Sequence, residues 1–282
     1  LTVCIRRTKH FLTVRTSAMF VGSTNIEANK NNNKRAALFG WLFFLYIFVA
    51  CTNRTIMKGK FWVIEGLDGC GKTTQMECLK QALEKRNIPY KYIHFPMLNK
   101  GVYGELVAEF LRGEYGTVEG VHPKLVALLF ANDRMEHIST IIDWLEEGYH
   151  VIADRYVYSN IAYQCAKLSE EEEKENLSKW ILDFEFNRNA LPMPDKTLFL
   201  SVPLEFIKKN LSETRTGDDR DYLNGKEDIH EKSLSLQENV YKEYLKLLDA
   251  RDDFGKVDCF DAEGRFLPKE QIHEKIWEML SE

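Results

Sequence analysis

No two cysteines of the chain stand in a C-x-x-C, no Cys/His pair has zinc-finger spacing, and no H-E-x-x-H occurs. The six cysteines, Cys4, Cys51, Cys70, Cys78, Cys165 and Cys259, are scattered along 282 residues, a length that can bury a core without crosslinks. A zinc module and a disulfide scaffold are excluded, and reduced cytosolic thiols are the reading that remains. Acid is nearly absent from one region: residues 1–56 carry eight Lys or Arg against Glu27 alone, a net of +7. The other 226 residues carry 30 basic against 42 acidic side chains, a net of −12. So acidic a body has no general attraction for nucleic acid or an anionic membrane, and any phosphate site in it must be local. The apolar run at 36–51, 16 residues, falls short of the ~20 that span a bilayer comfortably.

The first 56 residues look foreign to the rest of the chain. Lys30, Lys34 and Arg35 precede the apolar run, and Arg54, Lys58 and Lys60 come after it. That bias favours a cytoplasmic N-terminus and would export everything after Cys51, away from nucleoside triphosphates. The segment reads first as an extension outside the functional domain, second as a membrane or targeting element, third as a packed extra helix. Met57 is then the natural first residue of a compact domain, 57–282, in the cytoplasm.

From Met57 onward strands and helical runs alternate. KFWVIEG, YKYIHFP, YHVIADRY, KTLFLSVP and KVDCFDA are strand candidates. TTQMECLKQALEKRN, LVAEFLRG, the long run from Pro123 to Gly148, VYKEYLKLLDA and PKEQIHEKIWEML are helical. The order implies an α/β fold, a parallel sheet of about five strands with helices on both faces. Ligands then belong at the carboxyl ends of the strands, where 66–74, 95–104 and 154–164 are chemically rich, Phe95 opening the second stretch. The polar segment 212–228 reads as a mobile loop or lid.

Gly66, four residues, Gly71, Lys72 and Thr73 fit G-x-x-x-x-G-K-[ST] after a strand and before a helix. Glycines let the backbone of Gly66, Asp68, Gly69, Cys70 and Gly71 curl so that its N–H groups, with those of Thr73 and Thr74, face a phosphate. Lys72 reaches the β- and γ-phosphates, and the Thr73 hydroxyl is placed for Mg²⁺. The nearest approach to a guanine-recognition segment, NKG at 99–101, lacks the later Asp, which favours ATP as donor. Asp154 at a strand end can hold a Mg²⁺-bound water, and Arg155 can grip an acceptor phosphate; the pair can equally cap the next helix. Phe130 and Arg134 are four apart and share a helix face, a pair that by itself can be plain core plus a salt bridge.

IEGLDGCGKTTQ, LLFANDR and DRYVYSNIAYQ together resemble the thymidylate kinases over about residues 58–278 and none of the first 56. The resemblance implies a P-loop nucleoside monophosphate kinase fold with a lid, a homodimer, and conversion of dTMP to dTDP with ATP and Mg²⁺. It gives Asp68 the 3′-hydroxyl of the acceptor sugar, stacks Phe130 on thymine and sets Arg134 at the base edge. It also packs Tyr163 under the sugar, brings Gln164 near the base and adds Ser159 to the site. With Gly69-Cys70 in the loop, the transition-state charge falls to lid arginines, Arg215 and Arg220. One departure stands out: where the family has Phe-Pro-x-Arg, this chain has Leu98, so Arg155 is expected to act with Lys100 or Arg112. Another nucleoside or nucleoside-monophosphate kinase of the same fold is the alternative that departure favours. DCFDAEG resembles the segment flanking adenine, and the six histidines after Met57 are expected to be satisfied locally without metal.

Overall fold

The computed structural model describes residues 4–7, 10–13, 59–98, 100–212, 223 and 228–281. The chain divides into two compact units, Leu1–Thr55 and Ile56–Glu282. In the first, β1 (Cys4–Arg7) pairs antiparallel with β2 (His10–Thr13), Cys4 opposite Thr13. The apolar run 36–51 and Met57 lie outside the described residues.

The second unit is built on a five-stranded parallel sheet, ordered β4-β5-β3-β6-β7. Its strands are β3 (Phe61–Glu65), β4 (Tyr90–His94), β5 (His150–Asp154), β6 (Lys196–Ser201) and β7 (Phe254–Asp258). All of FWVIE in β3 is buried, as a central strand covered on both faces requires. Nine helices accompany the sheet among the described residues. α1 is Lys72–Lys85, α2 Gly101–Leu111, α3 Pro123–Glu146, α4 Val157–Cys165 and α5 Glu171–Leu182. α6 is Leu204–Ser212, α7 Ile229–Lys232, α8 Leu234–Ala250 and α9 Lys269–Ser281.

α3 is a single helix; Pro123 occupies its first turn, where the missing N–H costs nothing, and the His122 imidazole accepts from Lys124 N at 3.2 Å. α2 starts at Gly101, five residues before the run LVAEFLRG suggested, because Val102 to Glu105 continue the helix through a glycine and polar positions that carry little periodic signal. α5 was not marked by that pattern at all: its first turn is Glu171–Glu173, charges that suit a helix start but bring no apolar stripe. It runs into a π-helical turn, Asp183–Arg188. α4 has eight of nine residues buried (Val157, Tyr158, Asn160 to Cys165), so its face polarity was hidden in the sequence.

Candidate active site

β3 and β5 are neighbours at the sheet centre, with Ile64 opposite Asp154, so the segments leaving their carboxyl ends emerge side by side. Between them and β4 opens a cavity of about 770 Å³.

The β3 side contributes the turn Gly66–Thr73. Gly69 and Gly71 stand at φ +77° and +93°, a region a Cβ resists, and Gly71 leads directly into α1. The N-cap is Gly71, which has no side chain to cap the helix start, and such a start suits an anion on its first amides. Lys72 Nζ folds over the turn and donates to the carbonyls of Gly66 at 3.2 Å and Leu67 at 3.0 Å. Asp68, Gly69, Gly71, Lys72, Thr73 and Thr74 line the cavity. Gly66 and Cys70 do not line it: the Cys70 thiol is buried against Gly66, and burial pushes its pKa up despite the charges of Lys72 and Arg155.

The β5 side contributes Asp154 and Arg155, the latter at φ +66°. The Arg155 guanidinium reaches Asp68 Oδ1 at 2.6 Å, Ser159 Oγ at 3.1 Å and Tyr163 Oη at 3.3 Å. Burial opposes its charge, yet Tyr163 and the Asp68 carboxylate more than offset that and hold its pKa above the usual value. Asp68 Oδ2 accepts from Tyr163 Oη at 2.7 Å and from Gln237 Nε2 at 3.3 Å. A carboxylate inside a phosphate turn is thus neutralised from the facing strand, which answers the repulsion it would otherwise exert. Asp154 is 4% exposed; its Oδ2 lies 3.5 Å from His94 Nδ1, and its Oδ1 is buried without a hydrogen-bond partner. Burial acts to raise its pKa, but His94, Lys72 and Arg155 prevail and hold the carboxyl below the usual range.

Phe95, Phe130, Arg134, Ser159, Tyr163 and Gln164 also line the cavity. Arg134 and Glu185 form a buried two-pronged ion pair, Nε to Oε2 at 2.5 Å and Nη2 to Oε1 at 2.6 Å. Two of the five Arg134 N–H donors are therefore committed, and those of Nη1 with the second of Nη2 are not used by Glu185. Gln164 Oε1 accepts from Lys167 Nζ at 2.8 Å, which fixes the amide orientation. Leu98 lines the cavity as well, whereas Lys100 and Arg112 do not, and Arg112 Nε donates to Glu114 at 2.7 Å. Neither replacement expected for the absent arginine is brought to the site. Arg215 and Arg220 lie outside the described residues.

Several residues at the site carried no signal in the sequence. Glu65, fully buried, accepts at Oε1 from Tyr156 N at 2.9 Å and Ser159 N at 3.1 Å, and at Oε2 from Tyr244 Oη at 2.9 Å and from Ser159 Oγ. This acid caps α4, the task the sequence had offered to Asp154 and Arg155. Asp133 accepts from Met97 N at 3.1 Å and so anchors the segment after β4. Gly104 permits the approach, since a Cβ there would run into the Met97 carbonyl. His94, opposite Asp154 in register, was findable as a polar residue at a strand end. The six histidines were expected to be satisfied locally, but Nε2 of His137 and His230 and Nδ1 of His150 and His273 are buried with no hydrogen-bond partner.

A family model described as thymidylate kinase matches residues 64–276. The thymidylate kinase of Plasmodium falciparum is 33% identical over 188 residues, 66% of this chain and 76% of the relative. A probable thymidylate kinase of Pyrococcus abyssi is 31% identical over 224 residues, 78% of this chain and 95% of the relative. Among solved structures, the thymidylate kinase of Candida albicans, described as having broad substrate specificity, superposes with a TM-score of 0.60 at 29% identity. That match covers 79% of this chain and 92% of the other.

Proposed function

Because the chain belongs to the thymidylate kinase family of phosphotransferases, which use ATP as donor, we propose that residues 57–282 transfer the γ-phosphoryl group of ATP to dTMP. The observation that carries this reading is the 2.6 Å contact of Arg155 with Asp68, which ties the donor turn to the strand-end signature across one cavity.

The amides of Gly69 to Thr74 and the Lys72 ammonium hold the donor's β- and γ-phosphates. Thr73 and Asp154 fit Mg²⁺: both line the cavity, one with a hydroxyl at the helix start and the other with an orphaned carboxylate oxygen, and few protein ligands suffice where phosphates and water complete the shell. Bound there, Mg²⁺ supplies positive charge against the donor phosphates. Arg155 exchanges Asp68 for the acceptor phosphate, and the released Asp68 carboxylate takes the sugar 3′-hydroxyl. Tyr163 packs under the sugar, Phe130 stacks on the base, Arg134 Nη1 meets the base edge, and Gln164 lies near it. Phe95 closes the floor, and Ser159 holds the Arg155 guanidinium in plane. Arg215 and Arg220 neutralise charge on the moving group and exclude water. The attacking oxygen is already anionic, so no strong base is required, and positioning with electrostatics accounts for most of the rate.

One observation favours a broader acceptor: Leu98 stands at the cavity where the family's arginine is expected. A coupled ADP-release assay on the full chain decides between the two, using dTMP, dUMP, dCMP, dGMP and thymidine. dTMP should give the highest kcat/KM, and equal turnover of purine acceptors would overturn the substrate assignment.

Association as a homodimer is supported by α3. Leu125, Leu128, Met135 and Ile142 recur at spacings of three and seven residues, and Leu125, Met135 and Ile142 are 59%, 47% and 36% exposed. An apolar stripe of that kind suits a second copy of itself. We also place the enzyme in the cytoplasm, where its substrates are; no helix among the described residues is long and apolar enough to cross a membrane.

A further inference from the structure

We infer that His230 is the second wall of a base slot: its imidazole covers one face of the acceptor's nucleobase while Phe130 covers the other. This rests on the reading of the cavity as a nucleoside monophosphate site, and it assigns a residue that neither the phosphate turn nor the strand-end signature contains.

Phe130 and His230 both line the cavity, and their rings lie 11° from parallel with centroids 6.4 Å apart. A flat ring between two flat rings needs about 7 Å, twice the ~3.5 Å contact of aromatic carbons, so the separation is close to what a planar base requires. The imidazole is held from two other sides. Phe110 meets it edge-on at 5.4 Å and 73°, and Tyr163 packs on it at 5.2 Å and 27°. Its backbone is fixed as well: His230 N donates to Asp228 Oδ1 at 2.7 Å, and its carbonyl accepts from Gln237 Nε2 at 3.1 Å. The same Gln237 nitrogen reaches Asp68 Oδ2 at 3.3 Å, so the base wall and the turn's carboxylate are joined through one amide.

The protonation state of the ring fits the same ligand. Burial, together with the charges of Lys167 and Arg155, holds its pKa well below the usual value in spite of Asp68, so the ring is neutral at neutral pH. A neutral ring suits a neutral base: stacking then removes no charge from water. The ligand class is therefore a monophosphate carrying a flat, uncharged base, and a sugar phosphate without a base gains nothing from His230.

The test is calorimetric, on the full chain, with dTMP and with 2-deoxyribose 5-phosphate as the probe that lacks a base. His230→Ala should weaken dTMP about tenfold or more while leaving 2-deoxyribose 5-phosphate within twofold. An unchanged dTMP Kd, or equal losses for both ligands, would overturn the inference. Should His230→Ala fail to fold, His230→Phe and His230→Leu decide. Tighter dTMP binding by the phenylalanine variant supports a stacking wall, and equal or tighter binding by the leucine variant overturns it. Turnover is read separately: a parent that binds dTMP without phosphorylating it defeats the proposed reaction and leaves the base slot standing.

Discussion

Arg155 shows how much one side chain is asked to do. At φ +66° its backbone sits where L-residues are uncommon, and its N–H still donates to Ile64 O at 3.0 Å, so the strand-end geometry dictates the strain. The planar fork then serves Asp68, Ser159 and Tyr163 together. Lysine offers a point charge without that fork, so Arg155→Lys should lower kcat/KM for dTMP by ~100-fold while the KM for ATP stays within a few-fold. Retention of more than a tenth of parental kcat/KM would contradict the role. Asp133 gives a different kind of prediction. Burial lifts its carboxyl from 3.8 to about 6, against the opposing pull of Met97 N and Arg134. The folded state therefore favours the protonated acid, a contribution complete below pH 3.8 and lost as pH rises through about 6. Asp133→Asn removes that titration, so it should destabilise the protein more at pH 5 than at pH 7.5, the two differing by ~1 kcal/mol in denaturant unfolding. Equal destabilisation at the two pH values would show that Asp133 stays ionised in the fold. Lys72, Thr73, Asp68 and Arg155 were legible as residues because a short local spacing carries their chemistry. Glu65 and Glu185 were not: an acid in an apolar stretch announces nothing until its donors, 91 to 179 and 25 to 51 residues away, arrive beside it.

Elements succeeded or failed as sequence signals according to their burial. β3 and β5 read clearly, since a strand covered on both faces is simply apolar. α1 read clearly too, because Met76, Leu79 and Leu83 line one buried face behind a glycine turn. α5 and the π-helical turn after it carry acidic residues where an apolar stripe was sought, yet that turn delivers Glu185 to Arg134. Irregular helical turns recur at functional sites because they re-aim a side chain. The lid expected at 212–228 is proposed to act through charge alone, and Asn210 of α6, just before it in the chain, donates to Gly69 O at 2.8 Å. A charge that acts only on the moving phosphoryl group should lower kcat and spare KM, so Arg215→Ala with Arg220→Ala should cost ~100-fold or more in kcat. A double variant that instead raises the KM for ATP with kcat intact would reassign both arginines to donor binding.

At the scale of the whole molecule, the acidic second unit carries every residue assigned a role, and the basic first unit carries none. A chain of residues 57–282 should keep the full chain's kcat and KM in the ADP-release assay; a loss beyond about twofold in either would make the first unit part of the enzyme. The proposed homodimer is tested on α3. Met135→Glu puts a charge on the exposed stripe and should convert the parent from dimer to monomer in light scattering; a monomeric parent would overturn the proposal, and a variant that stays dimeric would move the interface elsewhere. The succession of strands and helices along the chain, the phosphate turn and the strand-end Asp-Arg were determined by the sequence itself, because each depends on neighbours within a few residues: alternation of apolar runs, glycine at a curl, a fork after a buried strand. Only the tertiary structure decided that Arg155 neutralises Asp68, that Glu185 takes two of the Arg134 donors and that the Phe130 and His230 rings face each other. Those are pairings between residues 51 to 100 apart, set by the parallel sheet's register and the packing of helices over it, and no local spacing encodes such a meeting.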